Sequence, residues 1–344
     1  MFVCCQKGGR SMTHDHGRTP EHGGDLDRAI ERFGGQRAGW LDLSTGINPH
    51  AYPLPPIDNS CWSDLPDKGL KQDVEAAAAA AYHTTQPCLS VSGAQQAIQL
   101  YPALFSRYIT GRRARLLHPS YNEHERQLVR QNWQVERVCF IDQLAGADLA
   151  VVVNPNNPDG HCSHPEQLFS LAKQVSVLVI DESFCDPLPH LSVCPYLTAQ
   201  HDNILVLRSF GKFYGLAGLR LGFAVGTRPH LHDLAEMMGS WAVSGPALAV
   251  GWFALTDRIW ATQMTTQLAK ESDHLDHLAT MAGWQIVGGT SLYRLYQIDD
   301  AAAWQDHLAR HQIWVRAFSY NTKWLRLGLP PQTGWARLEQ ALRG

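Results

Sequence analysis

Lys212 lies in the stretch SFGKFYGLAGLRLGF, among glycines, aromatics and leucines, with Arg220 a short way downstream. An ammonium group set among apolar neighbours loses hydration, so it sheds its proton or becomes covalently engaged. Such a lysine is a candidate Schiff-base former. The plain alternative is a surface lysine in a glycine-rich turn, so the choice depends on what else the chain carries. Asp181 follows the apolar run VSVLVI directly. There it can cap a helix, or it can stay ionised against a heteroaromatic nitrogen and keep that nitrogen protonated. Asn157 sits in NPNNPDG. Asn-Pro is ordinary turn chemistry, but two such dipeptides after an apolar run give a rigid loop that can aim an amide at a ligand oxygen. Gly93, Ala94 and Gln95, after Ser92, join a strand pattern to a helix pattern. That junction serves packing in many proteins, and it also offers exposed backbone amides to a phosphate. Ser209 and Arg220 would add a hydroxyl and a fixed cation to the same anion. Tyr121, in HPSYNEHE, is either a half-buried core residue or a ring that stacks on a flat ligand. Arg316 in WVRAF and Arg326 in WLRLGLP alternate with apolar neighbours. They point to solvent, or else they offer planar forks to a carboxylate or phosphate.

These groups need a frame that delivers them to one place. Short apolar runs at 89–92, 115–117, 135–140, 147–153 and 175–180 alternate with helical patterns, including 165–173. Such alternation predicts a mainly parallel sheet covered by helices on both faces, with functional groups sharing the edge where strands end. Before this lie a helix at 25–33, a short strand at 40–43 ending in STGINPH, a proline-rich arm at 51–65 and an alanine-rich helix at 71–82. Gly46 marks a point of close backbone approach. After Gly226 the pattern changes to long helices over 229–280, broken at Ser244-Gly245-Pro246. Strands at 284–287, 292–297, 314–317 and 324–327 follow, with helices near 301–311 and 333–342. The expected division is an N-terminal arm, 1–50, packing on the small domain, a large ligand-binding domain, 51–240, and a small α+β domain, 241–344.

The 344 residues carry a formal net charge of -3 and 18% charged residues, with basic residues dispersed, which argues against a nucleic-acid partner. No apolar run reaches the roughly 20 residues of a membrane helix. Eight cysteines include no CxxC pair, and no secretion signal is visible, so free thiols in a cytoplasmic protein are expected. No compact histidine and cysteine set suggests a metal. His14, His16 and His22 fall in a polar glycine-rich segment, where they read as solvated or substrate-facing. MFVCCQKGGRSM reads neither as a signal peptide nor as a core element, and Met12 is an alternative start.

In this order and spacing, SGAQQAI, PSYNEH, NPNNPDG, DESF, SFGKFYGLAGLRLGF and LRLG resemble the fold-type I pyridoxal-phosphate enzymes of the aminotransferase class I/II kind. The resemblance runs from about residue 20 to the end. It implies an α/β fold with a large, mainly parallel α/β/α sandwich and a smaller α+β domain, and pyridoxal 5'-phosphate as cofactor. By the same resemblance, Lys212 carries the cofactor, Asp181 pairs with the pyridine nitrogen, Asn157 with the phenolic oxygen, and Tyr121 stacks. Gly93, Ala94, Gln95, Ser209 and Arg220 take the phosphate, and Arg326 the substrate α-carboxylate.

Within that class, EHGGD, LDLSTGINPHAYP, WAVSGPALA and GGTSLYRL look most like the threonine-phosphate decarboxylases of cobalamin biosynthesis, with histidinol-phosphate aminotransferases next. The implied partner is a small phosphorylated amino acid, and the implied assembly a homodimer. The substrate phosphate is expected at His22 and the backbone of Gly46, Ile47 and Asn48, with Arg316 or Arg326 assisting and with Asn157 near the substrate. A flexible N-terminal histidine is the alternative for His22. The competing activities are a phosphate-substrate aminotransferase and a catalytically idle binding protein. Two departures from relatives stand out. Phe184 replaces a tyrosine beside the cofactor oxygen, and Leu65-Pro66 replaces a Tyr-Pro that reaches the neighbouring subunit.

Overall fold

The computed structural model describes residues 23–343. Thirteen strands are formed among them: β1 (Leu41–Asp42), β2 (Cys88–Val91), β3 (Arg113–Leu117), β4 (Gln134–Val138), β5 (Leu149–Val153), β6 (Val177–Asp181), β7 (Ile204–Ser209), β8 (Gly222–Val225), β9 (Gln285–Thr290), β10 (Tyr293–Gln297), β11 (Ile313–Trp314), β12 (Arg316–Phe318) and β13 (Asn321–Gly328). Seven of them form the main sheet in the order β2-β8-β7-β6-β5-β3-β4. β8 runs antiparallel to both its neighbours, and the other pairings are parallel.

The central strands read as unbroken apolar runs because each of their faces meets a different core. Leu178 and Ile180 of β6 join one cluster, with Ala150 and Val152 of β5 and Ile204 and Val206 of β7. Val177 and Val179 join the other, with Leu149, Val151, Leu205 and Leu207. Successive side chains of a strand alternate faces, so a strand buried on both sides needs apolar residues at every position. The second core is closed by the helix Ala94–Phe105, whose Ala97, Ile98, Tyr101, Leu104 and Phe105 are all buried at helical spacing.

Helix limits follow their caps. The alanine-rich helix begins at Lys68, before the expected 71, because the Asp67 carboxylate accepts from Leu70 N. The helical stretch after Gly226 forms three helices, Arg228–Met238, Gly245–Thr256 and Arg258–Met281, the last two capped by the side chains of Ser244 and Asp257. The expected break at 244–246 is present, and Asp257 makes a further one by accepting from Trp260 N. The helix Gly245–Thr256 lies against Lys68–Ala81. Gly251 permits the contact, since a Cβ there would stand 2.4 Å from a Leu221 methyl and 3.2 Å from Val74.

A four-stranded antiparallel sheet, β12-β13-β10-β9, forms the second layer. The strand expected at 314–317 divides between two sheets. β11 pairs in parallel with β1, while β12 turns to pair with β13, and Val315 lies between them. The early segment is thereby tied to the late one. Leu26, Ala29 and Trp40 form a small core with Ala309 and Trp314.

Candidate active site

Five loops at one edge of the main sheet supply the site. Asp181 ends β6, the Asn154–Pro158 turn follows β5, and Tyr121 follows β3 just before the helix Asn122–Arg130. Gly93 caps the helix after β2, and Ser209 ends β7 just before the single helical turn Phe210–Phe213 that carries Lys212. The antiparallel direction of β8 returns its start, and therefore Arg220, to this same edge. A cavity of about 510 Å³ results. Gly93, Ala94, Gln95, Tyr121, Asn157, Asp181, Ser209, Lys212 and Arg220 all line it.

Lys212 is held down to about 8 from an ordinary 10.5. Burial is the largest cause, Arg326 and Arg220 add repulsion, and Asp181 opposes them. Asp181 has the opposite problem. Burial pushes its carboxyl up, but hydrogen bonds from His124 and Ser183 outweigh burial and leave it below the ordinary carboxylate range. His124 Nε2 lies 2.9 Å from Asp181 Oδ2, and Ser183 N donates to Oδ1 at 2.9 Å. Tyr101 Oη lies 3.1 Å from the other ring nitrogen of His124. An ionised carboxylate only accepts, so in the neutral imidazole Nε2 carries the proton and Nδ1 accepts from the Tyr101 hydroxyl. The chain Tyr101–His124–Asp181 thus keeps a buried anion at the cavity floor.

Another part of the cavity lining suits an anion. Arg220 adopts φ 56, with Nη1 donating to Ala217 O at 3.0 Å. Its guanidinium lies so close to Gly93 that a Cβ there would stand 2.6 Å from Nη2, and Gly93 itself has φ 73. Only glycine satisfies both conditions. Tyr121 donates to Gln95 Oε1 at 3.1 Å, and Gln95 Nε2 donates to Glu123 at 2.9 Å, so the ring is oriented through its hydroxyl. Burial pushes the Tyr121 phenol up, with Glu123 adding to it.

Arg326, on β13, donates from Nη1 to Asn157 Oδ1 and from Nη2 to Ser44 O, the latter at 2.7 Å. Burial lowers it to about 10. Arg316 faces it across the β12–β13 pairing and is half-buried. Both late arginines therefore share one face near Asn157. Gly46 packs its backbone on Phe184 and Tyr293, where a Cβ would come within 2.9 Å and 2.8 Å of their rings. Asn48 N donates to Lys212 O at 3.0 Å, its Nδ2 donates to Phe213 O at 2.8 Å, and its Oδ1 accepts from His50 N at 2.8 Å. The Asn48 amide therefore anchors the 46–50 loop to the lysine turn, and Ile47 is half-buried between. His22 lies outside the described residues. Gly24 N donates to Ser44 Oγ at 2.7 Å, which brings the start of the described chain beside Arg326. Phe184 is buried on the cavity wall, its ring centroid 5.6 Å from Lys212 Nζ.

Reasoning from sequence missed His124, Tyr101, Ser183, Glu123 and Tyr293. His124 did carry a signal, since it shares an inward helix face with Leu128, but only the fold brings that face to Asp181. No group of His, Cys, Asp and Glu suited to a metal occurs among the described residues.

A lysine with a lowered pKa, a buried carboxylate held anionic, a stacking ring and a glycine cradle under an arginine together fit a planar aromatic aldehyde bearing a phosphate. The chain matches the family Aminotransferase class I and II over residues 62–343 and belongs to it. Its architecture is that of the fold-type I pyridoxal-phosphate enzymes. It is 40% identical over 328 residues to a threonine-phosphate decarboxylase of Sinorhizobium sp, covering 93% of this chain and 97% of that one. It is also 40% identical over 339 residues to the threonine-phosphate decarboxylase of Pseudomonas aeruginosa, covering 94% and 97%. The solved histidinol-phosphate aminotransferase from Clostridium acetobutylicum superposes with a TM-score of 0.76 at 18% identity, covering 88% of this chain and 98% of that one, a likeness of fold.

Proposed function

We propose that the chain is a pyridoxal-phosphate-dependent decarboxylase that converts L-threonine O-3-phosphate to (R)-1-amino-2-propanol O-2-phosphate and carbon dioxide in cobalamin biosynthesis. The observation that carries this reading is the 40% identity, nearly end to end, with two threonine-phosphate decarboxylases. A cytoplasmic enzyme is consistent with it, and among the described residues no helix is long and apolar enough to cross a membrane.

Pyridoxal 5'-phosphate, when bound, supplies an electron sink for the pair left on the substrate Cα. Lys212 would hold it covalently, and its lowered pKa leaves a useful fraction of neutral, nucleophilic amine near neutral pH. Asp181 would hold the ring nitrogen protonated, and it stays anionic for that task because His124 and Ser183 bond it. Gly93, Ala94, Gln95, Ser209 and Arg220 would take the phosphate, Tyr121 the ring face and Asn157 the phenolic oxygen. Arg326, with Arg316 beside it, would orient the substrate's anionic groups, and Gly46, Ile47, Asn48 and His22 would border them.

Which bond at Cα breaks would depend on how the protein orients the substrate's groups. The arginines therefore choose between loss of carbon dioxide and loss of the Cα proton. As the bond from Cα to the carboxylate breaks, carbon dioxide leaves and the electron pair stays behind. Lys212 Nζ, once the substrate amine has displaced it and passed it a proton, or a water, would then return a proton to Cα.

We also propose the three-part division at residues 50 and 240 and a homodimer. Trp62, Leu65, Trp252, Phe253 and Ile259 leave an apolar surface that a second copy would cover. Sedimentation of the protein at the mass of one chain would refute the dimer. The activity is tested with threonine phosphate and cofactor, without any keto acid, by measuring carbon dioxide. No release, together with turnover of histidinol phosphate and 2-oxoglutarate, would overturn the reading in favour of an aminotransferase.

A further inference from the structure

Tyr293 opens β10 and is fully buried, yet it touches four parts of the site at once. Its hydroxyl donates to the main-chain oxygen of Asn156 at 2.6 Å. Its ring lies 5.1 Å from the Arg326 guanidinium carbon. It meets the Phe184 ring edge-on, with centroids 4.9 Å apart, and it packs directly against the backbone of Gly46. We propose that Tyr293 is a positioning residue for the substrate carboxylate, setting Arg326 and Asn157 relative to one another. The inference rests on the decarboxylase reading above.

Filling the core does not need the hydroxyl. The Asn156 carbonyl already accepts from Gly160 N at 2.7 Å, so the turn closes without Tyr293. A second donor on the same oxygen fixes the direction of that carbonyl, and Asn157 is attached directly across the peptide. Asn157 Oδ1 in turn accepts from Arg326.

Arg326 itself is under-held. Its Nε is buried and has no hydrogen-bond partner among the described residues. Arg316 stands opposite it in the strand register, a like charge. The electron-rich face of Tyr293 is the compensating contact. The hairpin that carries Tyr293 is also pressed onto the Asn-Pro turn through glycines. A Cβ on Gly160 would stand 2.1 Å from Gly289 O, and one on Gly288 2.1 Å from Asp159 O. The turn and the late strands therefore form one block, and Tyr293 fixes its internal geometry.

The test uses holoenzyme and two variants. Tyr293→Phe keeps the ring and loses the Asn156 bond. Tyr293→Leu also loses the aromatic face. For Tyr293→Phe, kcat/KM for threonine phosphate should fall about threefold to tenfold, with part of the loss in kcat, as expected for one buried hydrogen bond that orients the scissile group. Tyr293→Leu should lower it further. In deuterium oxide, unreacted threonine phosphate recovered from either variant should carry more deuterium at Cα than that from wild type, because a loosely held carboxylate lets the Cα proton leave instead. The absorbance titration of cofactor bound at Lys212 should move less in Tyr293→Phe, which keeps the ring against Arg326, than in Tyr293→Leu.

Unchanged kcat/KM and unchanged exchange in Tyr293→Phe, with only a lower melting temperature, would overturn the assignment, and that conservative variant decides even if the leucine variant fails to fold. Wild-type enzyme that releases no carbon dioxide would refute the reaction instead.

Discussion

Arg326 is assigned to bind a carboxylate, yet it also depresses Lys212, and the second effect can be measured without substrate. Lys212 stands at about 8 against an ordinary 10.5, with burial as the first cause and Arg326 as the second. At pH 7 an amine of pKa about 8 is roughly one-tenth neutral, while one at 10.5 is neutral about once in 3,000 molecules, so the site raises the nucleophilic fraction about 300-fold. Arg326→Met removes the repulsion and keeps the bulk. A like charge nearby moves a pKa on the order of one unit, so the neutral fraction at pH 7 should fall about tenfold. The assay is the rate at which apoprotein captures pyridoxal phosphate, followed by absorbance across pH. Only the neutral amine attacks, so the rate rises with pH through the Lys212 pKa. The Arg326→Met curve should move to higher pH and rejoin wild type above about pH 10, whereas Arg326→Lys, which keeps the charge, should move little. Equal displacement in both variants, or none in Arg326→Met, would refute the electrostatic account.

The same burial makes Lys212 a liability to the fold. Its folded pKa is lowered, so between pH 8 and 10.5 the unfolded chain binds more protons, and stability rises with pH across that window. Lys212→Met should therefore stabilise the apoprotein by about 3 kcal/mol near neutrality, with the advantage shrinking above pH 8 in urea titrations. His124→Leu strips Asp181 of its ring partner and should lower kcat about tenfold or more while KM changes little, and His124→Gln, which can still present a donor, should recover part of the loss. Gly93→Ala places a methyl against the Arg220 guanidinium at a positive φ. Equilibrium dialysis should show weaker cofactor binding, by about tenfold or more, and melting of the apoprotein should change less.

The frame of the site could be read from the chain because buried strands advertise themselves. Unbroken runs such as VVV at 151–153 and VLVI at 177–180 suit only strands covered on both faces, and the groups that follow them must share an edge. Strand direction was not readable. Nothing in GFAV at 222–225 distinguishes antiparallel from parallel pairing, and yet the antiparallel course of β8 is what returns Arg220 to the edge that carries Lys212 and Asp181. The division of the strand near Val315 was hidden for a similar reason. Ile313 and Trp314 are chosen by Leu41 and Asp42, far away in the chain, and local alternation carries no trace of a distant partner.

Residues that act through other residues were the least visible. Lys212, Asp181 and Asn157 follow apolar runs and invite suspicion, whereas Tyr101 is one more apolar position on a helix face until its hydroxyl is found against His124. Arg326 shows the boundary most clearly. Its strand position and planar fork leave solvent or an anionic ligand open, and the family resemblance implies a carboxylate. Neither reveals its influence on Lys212, because that depends on β13 of the smaller sheet being laid over the edge of the larger one. Separate mutation of either residue would miss that dependence. A double variant, Arg326→Met with Lys212→Met, should show stability changes that fail to add, since once the lysine is gone the arginine has no ammonium to repel.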